Sequence, residues 1–251
     1  MQWSDTGIVL SARKHGETSA IVHVLTAEHG RHAGLVRGGA GRRARSIVQA
    51  GNELQLTWRA RLSEHLGTFT LELTRARAAE VLHDPLRLAA FSAATETVDA
   101  ALPERAPDAE GYPAFVALLD AVEREADWPV AYVRWELALL ASLGFGLDLA
   151  SMRAETDLAR NAWIASDRTG AVRTGTPFEG AGERWLAVPP FISGQAAPAD
   201  PALRRAAIAQ GLRLGSAFLP AALHDQKTRL PARNRLVERL ARSTGDPLGV
   251  V

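Results

Sequence analysis

The first 75 residues break at short intervals into strand-like segments, and this spacing restricts the fold more than any other feature of the chain. Five segments are rich in Val, Ile, Leu, Thr and Trp and alternate in part between apolar and polar residues: Thr6–Ala12, Ser19–Thr26, Ala33–Arg37, Asn52–Arg59 and Gly67–Leu73. Glycine and polar residues separate the segments, as in turns. Short strands leave unpaired edges, which closure into a barrel removes. We therefore expect a small five-stranded β-barrel with the size of an OB-fold.

The chain becomes rich in helix-forming residues after Leu73. Helices are predicted from Pro85 onward and over Tyr112–Arg124, Pro129–Leu143, Ala202–Leu219 and Leu230–Ala241. A hairpin is predicted over Asn161–Thr174. The predicted fold class is thus α+β, with an OB-fold domain over residues 1–78. A mainly helical domain follows over residues 79–251, with a small hairpin insertion near residues 155–190.

Several kinds of chemistry find no support in the sequence. Cysteine is absent, which excludes disulfides, thiolate zinc sites and cysteine nucleophiles. No apolar run approaches the roughly 18 residues of a membrane span, and the N-terminal residues do not resemble a signal peptide. The chain has no GxxxxGK[ST], GxGxxG or GxSxG motif, and His23, His29 and His32 lack the spacing of metal ligands. We expect a cytoplasmic protein without catalytic residues, cofactor or metal.

Charge is distributed unevenly along the chain, although the net charge is only +1. Residues 1–80 hold 11 Arg and Lys against 7 Asp and Glu, residues 81–202 hold 9 against 18, and residues 203–251 hold 9 against 3. Two basic ends therefore flank an acidic middle. The stretch GLVRGGAGRRARS places clustered arginines on a glycine-rich turn that suits phosphate contacts. A solvated turn between two strands would show the same local pattern.

The candidate DNA contacts come from both basic ends: Arg31, Arg37, Arg42, Arg43, Arg45, Arg59, Arg61, Lys227, Arg229, Arg233 and Arg235. The two ends could form one surface, or the C-terminal cluster could neutralise the acidic middle within the fold. Trp3, Trp58 and Phe69 are the aromatic residues that could stack on bases. For Trp58, within the segment LQLTWRA, we favour a place in the barrel core.

Four stretches, in order along the chain, resemble the RecO family of recombination mediator proteins. They are GIVLSARKHGETSAIVHVLTAEHGRHAGLVRGG (residues 7–39), GNELQLTWRARLSEHLGTFTLELTRA (residues 51–76), YVRWELALLASLGFGLDLA (residues 132–150) and QKTRLPARNRL (residues 226–236). The resemblance implies an OB-fold that binds single- and double-stranded DNA and anneals complementary strands. It also implies DNA repair by the RecF pathway of homologous recombination, and a protein associated with the nucleoid.

The same resemblance implies protein partners. Members of the family act with RecR to load RecA onto single strands coated by single-stranded-DNA-binding protein (SSB), and they engage the C-terminal tail of SSB. Arg134 and Leu137, on the YVRWE helix, are the residues we expect at the tail site. For Arg134, an ion pair with an acid of the middle segment is the alternative.

The chain departs from many of these relatives in one respect. They carry a four-cysteine zinc module after the GLDL segment, whereas this chain has Met152 near that place and no cysteine. We therefore expect no zinc. Two other functions stay open on sequence alone: an RNA-binding or ribosome-associated barrel protein, and a hydrolase whose site the motifs do not reveal.

Overall fold

The computed structural model of the chain describes residues 1–145, 163–166, 172–175, 184–192, 195–223 and 228–244. Contacts divide the chain into two compact units. The first is Met1–Glu125 with Arg229–Leu236, and the second is Ala126–Thr228 with Val237–Val251. The domain boundary that the sequence suggests at residue 78 stays a prediction.

The first unit is built around a five-stranded barrel. Its strands are β1 (Gln2–His15), β2 (Ser19–Thr26), β3 (Gly30–Val36), β4 (Glu53–Arg59) and β5 (Thr68–Arg75). Their spatial order is β1-β2-β3-β5-β4. The long strand β1 lies antiparallel to β4 over its first half and to β2 over its second half. A single parallel pair, Leu35 with Thr68, joins β3 to β5 and completes the ring. The predicted OB-fold is confirmed.

Apolar side chains from alternate strand positions fill the barrel. Val22 and Leu54 are fully buried, and Trp58 and Phe69 are 2% and 5% exposed. The Nε1–H of Trp58 donates a hydrogen bond to the carbonyl oxygen of Leu66 at 3.0 Å, which satisfies its polar atom inside the core. The interpretation of Trp58 as a core residue is confirmed. Neither Trp58 nor Phe69 is available to stack on a base.

The arginine-rich stretch after β3 is partly helical, whereas the sequence predicts a glycine-rich turn there. The helix α1 (Arg42–Ile47) has no side-chain cap at its N-terminus. At its other end the fully buried Asn52 donates from Nδ2 to the carbonyls of Ser46 and Ile47, at 2.8 and 3.1 Å. A helix this short is marginal by itself. Hydrogen bonds from a residue outside the helix therefore hold it.

Three helices complete the first unit: α2 (Arg77–Glu80), α3 (Pro85–Ala101) and α4 (Gly111–Arg124). The start of the last helix of the chain, up to Leu236, also belongs to this unit. The carboxylate of Asp84 accepts hydrogen bonds from the backbone N–H groups of Leu86 and Arg87. Pro85 occupies the first turn, where its missing N–H costs nothing. The predicted start of this helix is confirmed, and α3 packs against β1.

Gly30 is expected to tolerate no side chain. Its φ is +66°, and an added Cβ would lie 2.2 Å from the carbonyl oxygen of Ala106. Gly16, in the turn after β1, has a similar φ of +63° but no atom within 4 Å of such a Cβ. We expect Gly30→Ala to lower the free energy of unfolding by clearly more than Gly16→Ala, which carries only backbone strain of about 1 kcal/mol. Urea denaturation measures both, and equal losses would show that the backbone at Ala106 moves away without cost.

The second unit combines helices with a small sheet. Its described elements are α5 (Trp128–Ser142), β6 (Trp163–Ser166), β7 (Val172–Gly175), β8 (Arg184–Ala187), α6 (Pro201–Ala222) and the later part of α7 (Pro231–Thr244). The three strands are antiparallel in the order β7-β6-β8. Strands β6 and β7 confirm the predicted hairpin, whose turn lies outside the described residues. Strand β8 was not predicted.

The ends of two helices test the glycine and proline signals. Gly144 has a φ of +81° and follows α5, whose last residue Ser142 lies one position before the predicted end at Leu143. The prediction that α6 ends at Leu219 was wrong, because the helix continues through Pro220 to Ala222. The N–H of Leu223 still donates to the carbonyl of Leu219 at 3.2 Å. Pro220 therefore removes one hydrogen bond of the last turn without ending it.

Candidate nucleic-acid interface

Three loops meet at the C-terminal end of β3: the β3–α1 loop (37–41), the β1–β2 turn (16–18) and the β4–β5 loop (60–67). The N–H of Ala40 donates to the carbonyl of Thr18 at 2.9 Å, which ties the first loop to the turn. The N–H of Leu35 donates to the carbonyl of Gly67 at 3.1 Å, which ties β3 to the third loop. In OB-folds the β1–β2 and β4–β5 loops are the usual place for oligonucleotides.

Exposed cations lie in two of these loops, at the strand ends beside them and on α1. We call them the arginine rim: Arg13, Lys14, Arg37, Arg42, Arg45, Arg59 and Arg61. Glu17 and Glu64 are the acids in the three loops. Five of the predicted contacts belong to this rim. Arg43 lies in α1 with its neighbours, and its side chain is outside the described part of the structure.

One row of paired strand residues crosses the barrel between two of the rim arginines: Arg13, Ile21, Leu35, Thr68 and Arg59. Directly paired residues of neighbouring strands point to the same face. Because Arg13 and Arg59 are exposed, this face is the outer side of the barrel. A cation stands at each end of the row, while Ile21 within it is only 7% exposed. Sequence reasoning missed Arg13 and Lys14, because two basic residues before a turn carry no local signal and only the register shows their place.

Arg31 was predicted to contact DNA, but its side chain is used within the fold. Its Nη1 donates to the carboxylate of Asp99 at 3.1 Å, and its Nε donates to the carbonyl of Leu102 at 2.8 Å. Only 16% of the side chain is exposed. We therefore remove Arg31 from the candidate contacts and interpret it as an anchor of α3 on the barrel.

Asp99 also gathers two other polar side chains of the barrel. The hydroxyl of Ser11 donates to it at 2.7 Å, and the Nδ1 of His23 lies 2.7 Å away. Burial works to raise the pKa of Asp99, but the hydrogen bonds of His23 and Ser11 and the charge of Arg31 outweigh it, so that this pKa lies below its ordinary value. A nucleophilic serine needs its hydroxyl on the imidazole. Here both groups bind the carboxylate, so the cluster fastens α3 and offers no nucleophile.

The C-terminal basic cluster divides into exposed and buried residues. Arg229 and Arg235 are exposed. Arg233 is only 3% exposed, so its guanidinium cannot reach a DNA strand, and we remove it from the candidate contacts. Lys227 lies outside the described residues. The one-dimensional pattern of the cluster could not separate these residues, because burial depends on which face of α7 packs against the fold.

A carboxylate of α3 holds the beginning of α7. The Oε2 of Glu96 accepts hydrogen bonds from the backbone N–H groups of Ala232 and Arg233, at 2.8 and 3.0 Å. Burial raises the pKa of Glu96 in spite of these two bonds. A carboxylate at a helix N-terminus satisfies donors that lack partners within the helix. Glu96 thereby fixes the segment that carries Arg229 and Arg235 within the first unit.

Arg134 and Leu137, the residues expected at a partner site, have different environments on α5. Arg134 is exposed; its Nε donates to the carbonyl of Phe191 at 3.4 Å, and its guanidinium carbon lies 5.6 Å from the centre of the Phe191 ring. Leu137 is 2% exposed and belongs to the core of the second unit. A buried leucine cannot present a surface to a partner, so we remove Leu137 from that site.

Histidines and acids form no metal site in the described ranges. The Nδ1 of His29 lies 3.0 Å from Asp5, and its ring stacks on Trp3 with the centroids 3.9 Å apart. His32 is buried between Trp3 and Trp58, and burial lowers its pKa. No group of three or more possible ligands occurs among the described residues. Their helices also include none with the length and apolarity that crossing a bilayer requires.

Comparison with known proteins gives a consistent result over the chain. Residues 1–77 match the family described as Recombination protein O N terminal, and residues 82–170 match Recombination protein O C terminal. A protein named DNA repair protein RecO from Rhodospirillum rubrum is 44% identical over 251 residues, which cover 96% of this chain and 97% of the relative. The proteins of the same name from Rhodospirillum centenum and a Ruegeria species are 47% and 42% identical, over 95% and 96% of this chain and 94% and 99% of the relatives.

Proposed function

This chain belongs to the RecO family of DNA repair proteins, and from this premise we propose that it is a recombination mediator that binds DNA through the arginine rim. Both single and double strands are substrates, because the rim offers charge to phosphates, which every strand carries. Binding two complementary strands at one basic surface lowers their mutual repulsion and promotes annealing. The protein acts on DNA of the nucleoid.

The observation that carries this proposal is the convergence of exposed cations at the end of β3. Seven of them lie in the β3–α1 and β4–β5 loops, at the adjoining strand ends and on α1, and the three loops hold two acids. Chain segments separated by tens of residues reach this place through main-chain hydrogen bonds between the loops. Neutralisation of phosphates by such cations supplies most of the sequence-independent affinity for nucleic acids. Arg229 and Arg235 are the C-terminal contacts that we retain.

We propose further that the protein works in the RecF pathway with RecR, and that it helps to load RecA onto single strands coated by SSB. Arg134 supports a contact with the acidic, aromatic-ended tail of SSB, because it is exposed and its guanidinium already lies beside an aromatic ring. The activity is binding and strand pairing, not bond making. In support of this, the hydroxyl and imidazole of the Ser11–His23–Asp99 group both bind the carboxylate.

The test is the salt dependence of binding to labelled nucleic acids. Fluorescence anisotropy is measured with a single strand of about 16 nucleotides, with the corresponding duplex and with a structured RNA hairpin. With five to seven rim cations on phosphates, we expect log K for the single strand to fall with log salt with a slope of about −3.5 to −5.

The outcome separates this function from the alternative of an RNA-binding or ribosome-associated barrel. Tighter binding to the RNA hairpin than to the DNA single strand would favour that alternative. Binding that does not respond to salt would contradict the arginine rim as the binding surface.

A further inference from the structure

Arg105 is held in a conformation that a residue with a side chain rarely adopts. It lies between α3 and α4 and has a φ of +60°, the only positive φ of a non-glycine residue in the described part of the chain. Its N–H donates to the carbonyl of Arg31 at 2.7 Å, and the backbone of the neighbouring Glu104 forms a parallel β-bridge with that of Arg31. Strained backbone persists only where surrounding contacts fix it. These contacts fix the segment on the edge of β3.

The guanidinium of Arg105 binds three consecutive carbonyls of the β4–β5 loop. Nη1 donates to Ser63 at 2.7 Å, and Nη2 donates to His65 at 3.1 Å and to Glu64 at 3.3 Å. The Nε lies 3.5 Å from the carboxylate of Glu104. The planar guanidinium presents several donors in a fixed fork. A single side chain some 40 residues away in sequence thus fixes the course of this loop.

Other contacts also fix the backbone of the β4–β5 loop. The Nε1–H of Trp58 donates to the carbonyl of Leu66 at 3.0 Å. Gly67 has a φ of +65°, and a Cβ there would lie 2.4 Å from the Trp58 Nε1. The carbonyls of residues 63–66 accept hydrogen bonds from Arg105 and Trp58, whereas the side chains of residues 61–66 are all exposed. The loop therefore presents its side chains outward on a fixed backbone.

We propose that Arg105 is a positioning residue for DNA binding: it holds the β4–β5 loop in the shape that presents Arg61 to the strand. The inference rests on the proposed function, because it requires DNA at the arginine rim. Arg105 itself donates to protein carbonyls and is not counted among the phosphate contacts. A loop that is already ordered loses little conformational entropy when it binds, which strengthens binding without any added contact.

The experiment compares Arg105→Ala and Arg105→Lys with the wild type in single-strand binding over a salt series. We expect both variants to bind about tenfold more weakly at 0.1 M salt, since the loop must become ordered on binding. The slope of log K against log salt should not change, because no phosphate contact is lost. Lysine keeps the charge but cannot bind three carbonyls as the fork does. Hydrogen exchange should accelerate in residues 61–67 and not in the barrel strands.

Arg87→Ala is the matched control. Arg87 also donates to backbone carbonyls of the first unit, but those of Val122 and Glu125 at the C-terminal end of α4 and not those of the loop. We expect this variant to bind DNA like the wild type, even if its stability falls.

Three results would overturn the inference. A slope flattened by about 0.7 in Arg105→Ala, with wild-type binding in Arg105→Lys, would identify Arg105 as a phosphate contact. Unchanged affinity in Arg105→Ala, together with faster exchange of the loop, would show that the order of the loop is immaterial. If the wild type itself bound DNA without salt dependence, the proposed function would fail, and this inference with it.

Discussion

Alanine at both Arg42 and Arg45 is expected to weaken binding to single-stranded DNA about 25-fold at 0.1 M salt. Both side chains are exposed on α1, a helix that buried Asn52 fixes at its C-terminal end. Each phosphate contact contributes about −0.7 to the slope of log K against log salt for single strands. Losing two contacts should therefore flatten the slope by about 1.4. Anisotropy titrations over a salt series measure both quantities.

The control for this variant is Arg205→Glu. Arg205 is exposed on α6 in the second unit, and this substitution lowers the net charge by two, as the double alanine variant does. If binding depended on net charge alone, both variants would flatten the slope equally. We expect the slope of Arg205→Glu to stay close to that of the wild type. Equal slopes in the two variants would contradict a DNA site on α1.

Alanine at Arg77 is expected to lower the free energy of unfolding by about 3 kcal/mol. The side chain of Arg77 is 2% exposed, and it pairs with Glu123, which is also 2% exposed, at 2.9 Å. It also binds Asp120 at 2.7 Å and Glu53 at 3.1 Å. Removing one partner of a buried pair leaves the other charge without its compensation, which costs far more than the pair contributes. Arg75 still contacts Glu123 at 2.5 Å, so we expect the lower end of the usual range.

Arg75→Ala is the matched control for Arg77. Arg75 pairs with Glu80, Asp120 and Glu123, which is as many acids as Arg77 contacts, but 26% of its side chain is exposed. Ion pairs that water can reach contribute about 1 kcal/mol or less. Urea denaturation of the two variants should therefore show the larger loss for Arg77. Equal losses would show that burial of the guanidinium does not determine the effect.

Arg77→Ala and the double alanine variant of Arg42 and Arg45 together separate effects on stability from effects on DNA binding. The Arg77 cluster ties β4 and the segment after β5 to α4, and no residue of this cluster belongs to the arginine rim. At temperatures where the variant is folded, Arg77→Ala should bind DNA like the wild type. The Arg42 and Arg45 variant should show the opposite behaviour, with normal stability and weak binding.

Strands and caps could be predicted from sequence because their signals are local. The alternation of apolar residues places Trp58 in the core and Arg59 outside it, and each of the five strands overlaps its predicted segment. Strand β1 is longer than predicted, since it spans Gln2–His15 and not only Thr6–Ala12. Asp84 followed by Pro85 marks a helix start, and Gly144 marks a helix end, since each depends on neighbours within a turn. The barrel follows from these signals together with the short turns between them.

The site residues could be predicted only in part. Arg31 lies on β3 and Arg37 directly follows that strand. Arg37 is exposed, whereas Arg31 binds Asp99, which lies far away in sequence. Likewise Arg235 is exposed and Arg233 is buried, although they stand two positions apart on one helix. Nothing in the local sequence distinguishes the members of either pair. What distinguishes them is the contacts that α3 and α7 make in the fold.

The sequence by itself therefore determined the strand pattern of the barrel, the helix start at Asp84, the helix end at Gly144 and the concentration of arginine after β3, because these depend on residues close together in the chain. Tertiary structure alone decided which arginines face solvent, that α1 is a helix, and that Arg105 holds the β4–β5 loop. Each of these depends on hydrogen bonds between segments far apart in sequence. Burial and charge pairing are set by such distant partners, and a guanidinium that finds a carboxylate or carbonyl inside the fold is no longer available to a phosphate.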